Sequence, residues 1–214
     1  MGCTATRLAG ALRAAAAVIA EHRDELVQLD RAIGDGDHGE NLNRGFVAIV
    51  STLDESTPDT PAGVLKLAAA TLISTVGGAA GPLYGTAFLR AATATAETAE
   101  LDAASVTAAL RAALSGVVAR GKAEIGDKTM VDALEPAVRA AEAVRDNDIA
   151  SDIATVLEAA AGAAATGAES TVPLVARKGR ASYLGERSAG QLDPGARSTA
   201  LLLRCLADFA AGAS

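Results

Sequence analysis

The chain of 214 residues is half apolar yet only 2% aromatic, lacks tryptophan, and carries a formal charge of −7 with an isoelectric point near 4.9. That acidity disfavours a phosphate-backbone partner, because nucleic-acid binders present a basic face, so no nucleic acid is expected. The length suits one domain, read as 1–214, whose core is filled by Ala, Leu, Val and Ile and whose small side chains let helices approach closely.

The apolar period is about 3.6 almost throughout, and Gly, Pro and Asp clusters divide the segments. The first helix is expected over 4–30, with Leu8, Leu12, Ile19 and Leu26 on one face. Its Ala-rich start resembles a signal peptide, and Met1 to Thr6 has the spacing of a myristoylation site. Arg13 interrupts the apolar run, and both patterns are read as accidental. The next helices are expected over 40–54 (Leu42, Phe46, Ile49, Leu53), 61–77 (Leu65, Ala68, Leu72, Val76) and 82–99 (Tyr84, Ala87, Phe88, Ala91). Pro61 and Pro82 suit first helical turns, where no N–H partner is lost. Further helices are expected over 103–120, opened by Asp102 as N-cap, and over 128–145, 149–168 and 195–211. Pro136 lies inside an otherwise helical row, so it either kinks that helix or moves its start.

Eight helices of this length with short connections argue for an all-α fold, an antiparallel up-and-down closed bundle. No apolar stretch reaches the roughly 20 residues a membrane span needs, and two cysteines, Cys3 and Cys205, are too few for a disulfide framework. A cytoplasmic location with no membrane partner follows as the expectation. Four connections are longer and richer in Gly and charge: 31–40, 77–82, 120–128 and 177–195. In an up-and-down bundle alternate connections share one end, so these four converge on a single rim.

The first of them holds Asp35 and Asp37, with Asp30 just before it. Three carboxylates in eight residues repel each other unless a cation or basic group sits among them, and hard cations such as Mg²⁺ prefer such oxygens. Turn formation and helix capping are the alternative use of the same aspartates. His38 suits either a phosphate contact or the orientation of its loop. The stretch Val76 to Thr86 lets backbone pass close to a ligand before a helix N-terminus, which attracts phosphate oxygens. Gly121 to Thr129 fails as a Walker A loop because Asp127 interrupts it and a helix precedes it, leaving Lys122 and Thr129 as candidate phosphate contacts. Ala176 to Ser188 places four basic residues, Arg177, Lys178, Arg180 and Arg187, in an acidic protein. Metal-binding and basic loops on one rim are what phosphoryl transfer needs, so the residues point to a Mg-nucleotide or other phosphate-ester site.

Leu29 to Gly39 with Asn41 and Arg44-Gly45-Phe46, then Gly77-Gly78-Ala79 with Gly81 to Thr86, Arg120-Gly121-Lys122 with Gly126 to Met130, and Gly179 to Ser188, taken in this order, resemble the L (nucleotide-binding) subunit of dihydroxyacetone kinase. The resemblance implies an eight-helix barrel with ADP or ATP at one end and two Mg²⁺ held by Asp30, Asp35 and Asp37. It also implies that His38, Gly39, Asn41, Ala79, Ala80, Gly121, Met130, Arg180, Asp193, Pro194 and Gly195 surround the nucleotide. A separate K subunit then holds dihydroxyacetone covalently, and in one branch a phosphotransferase-system M subunit rephosphorylates the ADP. A homodimer is left open, as are another short ketose, such as a tetrulose, as acceptor and a non-enzymatic Mg-nucleotide regulatory module. Two departures stand out. Ala80 replaces a phosphate-contacting Ser, predicting weaker nucleotide retention, and Gln191-Leu192 replaces a His-Gln pair beside the expected base contacts.

Overall fold

The computed structural model describes residues 2–212, so Met1, part of the myristoylation pattern, lies outside the described residues. Among them are nine α-helices: α1 (Ala5–Glu21), α2 (Arg23–Ile33), α3 (His38–Glu55), α4 (Pro61–Thr75), α5 (Ala80–Ala94), α6 (Ala103–Gly121), α7 (Met130–Asn147), α8 (Ile153–Glu169) and α9 (Pro194–Ala211). A 3-10 helix, Arg180–Ser188, lies between α8 and α9.

The first expected helix is broken at His22, which leaves helical geometry at φ −92°, ψ 8°. Hydrogen bonding nevertheless runs across the break, since the His22 N–H reaches Val18 O at 3.0 Å and Leu26 N–H reaches His22 O at 3.0 Å. Leu8, Leu12, Ile19 and Leu26 are all buried, so the apolar row survives the break. The ring Nδ1 of His22 sits 2.6 Å from Glu25, which in turn accepts from Arg197 Nε of α9 at 2.6 Å.

Caps account for most of the other boundaries. Thr60 precedes Pro61 and accepts from Gly63 N–H at 3.1 Å, while Asp102 and Ser105 form a capping box that starts α6. Asp152 caps α8 through Thr155, so that helix begins at Ile153 rather than near 149 and leaves Ile149 exposed. Pro136 neither ends nor delays α7, which runs through it to Asn147.

Each helix packs on its successor around the ring, and α9 returns to pack on α1. That return closes the bundle. Inside it, Phe46, Leu12, Ile19, Leu26, Leu42, Ile49 and Leu72 are fully buried. Truncating Phe46 to Ala would cost about 3–5 kcal/mol. Ala9, Ala15, Ala68, Ala92, Ala137 and Ala160 fill the helix contacts, as a core poor in aromatics requires. At one end, mutual backbone hydrogen bonds between Cys3 and Leu101, at 2.7 and 2.9 Å, tie the N-terminal segment to the α5–α6 connection. Asp152, at the start of α8, lines a largely apolar cavity together with Cys3 and Leu101. The connections after α2, α4, α6 and α8 meet at a different cleft. No helix among the described residues is long and apolar enough to cross a membrane.

Candidate nucleotide and metal site

The cleft has a volume of about 360 Å³, within the size range of small-molecule sites. Its acidic corner is built from the last turn of α2 and the start of α3. Asp30 is buried, and its Oδ2 accepts the backbone N–H groups of Asp37 at 2.8 Å and His38 at 3.1 Å. Those donors lie at the N-terminus of α3, where N–H groups have no helical partner. The loop can fold this tightly because residue 34 is glycine: a Cβ there would stand 2.1 Å from Asp30 Oδ1. As a result one carboxylate oxygen from each of Asp30, Asp35 and Asp37 lies within 4.8 Å of the other two. A cluster of hard oxygen donors at this spacing, with two of the three carboxylates reaching solvent, fits a divalent cation that retains some water.

Gly77, Gly78, Ala79 and Ala80 form another part of the wall. Ala79 occupies the N-cap of α5 and supplies no side-chain acceptor, so no cap competes with a ligand for the first-turn N–H groups. Arg180 of the 3-10 helix reaches over the mouth, with Nη2 3.0 Å from Asp35 Oδ2. Beneath it Ser188 pins the segment, accepting Ala176 N–H at 2.9 Å and donating to Gly185 O at 2.6 Å. A less polar flank is lined by Leu83, Val117, Ala123, Met130 and Val131, with Gly121 at the end of α6.

Thr129 caps α7: its hydroxyl accepts Val131 N–H at 3.1 Å and its own N–H donates to Asp132 Oδ2 at 2.8 Å. Asp193 caps α9 by accepting Ala196 N–H at 2.8 Å, and Pro194 and Gly195 complete that wall. Burial raises the Asp193 carboxyl to about 7, against the pull of the Ala196 N–H and the Lys128 charge.

The structure therefore brings Asp30, Asp35, Asp37, His38, Ala79, Ala80, Gly121, Thr129, Met130, Arg180, Asp193, Pro194 and Gly195 to one cleft. Gly39 and Asn41 are not among its lining residues. Gly39 lies against α2, where a Cβ would meet Arg23 O at 2.2 Å. Asn41 is buried behind the Gly77 turn and accepts from Arg44 Nη2 at 2.6 Å. The departure at Gln191-Leu192 also falls outside the lining: Gln191 contributes its backbone carbonyl to Lys128, and Leu192 packs on the core.

Three further side chains, Lys128, Tyr84 and Ser198, have structural parts in the site. Lys128 is almost fully buried, with φ 62°, and its Nζ donates to Thr171 O at 2.6 Å, Val172 O at 3.4 Å and Gln191 O. It thereby clamps both ends of the long α8–α9 connection, and its burial lowers the ammonium's pKa. Tyr84 and Ser198 hold His38 from behind: His38 Nε2 lies 2.9 Å from Ser198 Oγ, which lies 2.8 Å from Tyr84 Oη. Burial lowers the His38 pKa despite the nearby Asp30 and Asp37. The sequence pattern places Tyr84 in an apolar row and gives no sign that it pairs with Ser198, 114 residues away.

The DAK2 domain model matches residues 32–208. The ADP-binding subunit DhaL of the PEP-dependent dihydroxyacetone kinase of Escherichia coli K12 is 42% identical over 207 residues, 97% of this chain and 98% of that one. The ADP-binding subunit DhaL of PEP-dependent dihydroxyacetone kinase 1 of Listeria innocua is 45% identical over 188 residues, 88% of each. Among solved structures, the dihydroxyacetone kinase of C. freundii in complex with AMP-PNP and Mg²⁺ superimposes with a TM-score of 0.73 at 28% identity, covering 97% of this chain and 34% of that one.

Proposed function

This chain belongs to the DAK2 domain family, and on that premise we propose that it is the nucleotide-binding, phosphoryl-transferring subunit of a dihydroxyacetone kinase. The observation that carries the reading is the meeting of an acidic trio, an uncapped helix start and an arginine in one cleft. Asp30, Asp35 and Asp37 hold two Mg²⁺ ions, and the ions supply charge neutralisation for ADP or ATP phosphates. The first turn of α5 and Arg180 receive phosphate oxygens, and the flank of Leu83, Val117 and Met130 takes the base. Catalysis rests on positioning and charge stabilisation, so no nucleophile is assigned to this chain.

Dihydroxyacetone is held by a separate K subunit, and an M subunit of the phosphotransferase system rephosphorylates the bound ADP. The names of the Escherichia coli and Listeria relatives, both PEP-dependent and ADP-binding, support that arrangement. In this reading residues 1–214 form one nucleotide-binding domain working in the cytoplasm.

The test is to denature the purified protein, identify the released nucleotide, and then supply dihydroxyacetone with a K subunit proven competent with another L subunit. Phosphoryl transfer to dihydroxyacetone is the expected result. Bound ADP without any transfer, with the M subunit and its phosphoryl donors present, would overturn it in favour of a regulatory nucleotide-binding module.

A further inference from the structure

We propose that Ser198 is a positioning residue: a directional chain of hydroxyl groups behind the cleft holds His38 as its Nε2–H tautomer and leaves Nδ1 as the ring's bare acceptor.

Three hydroxyls, one carbonyl and one imidazole nitrogen meet where α3, α5 and α9 adjoin, and each hydroxyl has a single proton to give. Gly195 O can only accept, and Thr199 Oγ1 lies 2.8 Å from it, closer than Ser198 Oγ at 3.1 Å or Tyr84 Oη at 3.5 Å. The Thr199 proton therefore belongs to that carbonyl. Tyr84 Oη lies 3.0 Å from Thr199 Oγ1, and with the Thr199 proton so placed, this contact holds a hydrogen only if Tyr84 donates. The 2.8 Å contact between Ser198 and Tyr84 must then be filled by the Ser198 proton. Nothing remains on Ser198 for His38, so the hydrogen in the 2.9 Å contact comes from the ring. This is the one arrangement that puts a hydrogen into each of the four shortest links.

The chain is well protected from solvent. Ser198 is 0% and Thr199 4% exposed, and burial pushes the Tyr84 phenol up to about 12, so it stays a donor. Among the described residues no protein atom hydrogen-bonds Nδ1, and the ring lines the cleft. A lone pair there repels a phosphate oxygen and accepts from a proton-bearing group instead, such as a ribose hydroxyl or an ordered water. That consequence for the ligand rests on the nucleotide reading above; the tautomer itself does not.

The chain has only two histidines, His22 and His38, so NMR of the full-length protein with ¹⁵N-labelled histidine resolves both, and H22Q assigns them. The expected spectrum of the ligand-free protein shows the His38 proton on Nε2. Y84F removes the acceptor of the Ser198 proton, frees Ser198 to donate to Nε2, and shifts the population toward Nδ1–H. S198A loses the fixed tautomer and weakens Mg-ADP binding about 3- to 10-fold, the effect of one hydrogen bond, while S198T restores the wild-type tautomer. A wild-type spectrum with the proton on Nδ1 overturns the inference, as does a tautomer unmoved in both Y84F and S198A. Failure of the wild type to bind Mg-ADP by calorimetry counts against the nucleotide reading and leaves the NMR result to decide the tautomer.

Discussion

The Arg180 guanidinium stands 3.0 Å from the Asp35 carboxylate across the mouth of the cleft, joining the basic loop to the acidic one. Both side chains are partly solvated, so the pair contributes at most about 1 kcal/mol to stability. Its importance lies in what it would compete with, because a cation bound at the proposed metal site would draw on the same Asp35 carboxylate. Arg180→Ala is therefore expected to tighten binding of Mg²⁺ alone by up to about 3-fold and to weaken Mg-ADP by about 10-fold, through loss of a charge-assisted phosphate contact. Titration calorimetry with each ligand checks both directions, and equal changes of the same sign would contradict the competition.

Asp35→Asn combined with Asp37→Asn removes two of the three carboxylates that lie within 4.8 Å of one another. Neither side chain caps its adjoining helix, so the helical content seen by circular dichroism is expected to remain while Mg-nucleotide binding disappears. Unchanged affinity in that variant would remove the metal assignment.

Lys128 gives three backbone carbonyls a charged donor at the neck of the α8–α9 connection. Lys128→Met keeps the apolar stem but leaves those carbonyls without it, at a cost of about 2–3 kcal/mol. For a chain of this length that corresponds to a melting temperature lower by roughly 5–10 °C. Arginine, with its planar fork, is not expected to rescue it. Calorimetric melting of both variants tests this, and a wild-type Tm in Lys128→Met would contradict the clamp.

Asp193 carries a pH dependence of definite sign. Its folded-state pKa of about 7 lies above the ordinary 3.8, chiefly through burial, so between these values the folded state binds more protons than the unfolded one. The resulting destabilisation is fully present above pH 7 and is relieved as pH falls from about 7 toward 4. Asp193→Asn retains an acceptor for the α9 cap and cannot ionise. It is expected to flatten this part of the pH–stability curve and to raise stability at pH 8, measured by urea denaturation across the range.

Ala80 begins α5 at the cleft wall without a side-chain hydrogen-bonding group. Restoring a hydroxyl with Ala80→Ser is expected to tighten ADP by about 2- to 10-fold, the range of one added hydrogen bond. Competition with a fluorescent nucleotide measures it, and no gain would mean that residue 80 does not touch phosphate.

The helices and the site differ in how far they were legible. Apolar rows such as Leu42, Phe46, Ile49 and Leu53 announce themselves because helical period is a local property, and all four are buried. The acidic trio was equally visible, since Asp30, Asp35 and Asp37 are close along the chain and one glycine loop suffices to gather them. The break at His22 was not visible, because the apolar row continues through it while the ring turns toward Glu25 and, through it, Arg197 of α9.

By itself, then, the sequence determined an all-helical chain, the identity of its four unusual connections, and the chemistry that one rim would gather. Tertiary structure decided which residues face the cleft and which support it. Gly39 and Asn41 sit in the same motif as His38 yet do not line the cleft, because Gly39 packs against the α2 backbone and Asn41 lies beside Gly77 and accepts from Arg44. Lys128 reaches carbonyls 43 to 63 residues away, and the Tyr84–Ser198 contact spans 114. Hydrogen bonds of that separation leave no local pattern. They exist only once the ring of helices has closed and set α5 and α9 beside the start of α3.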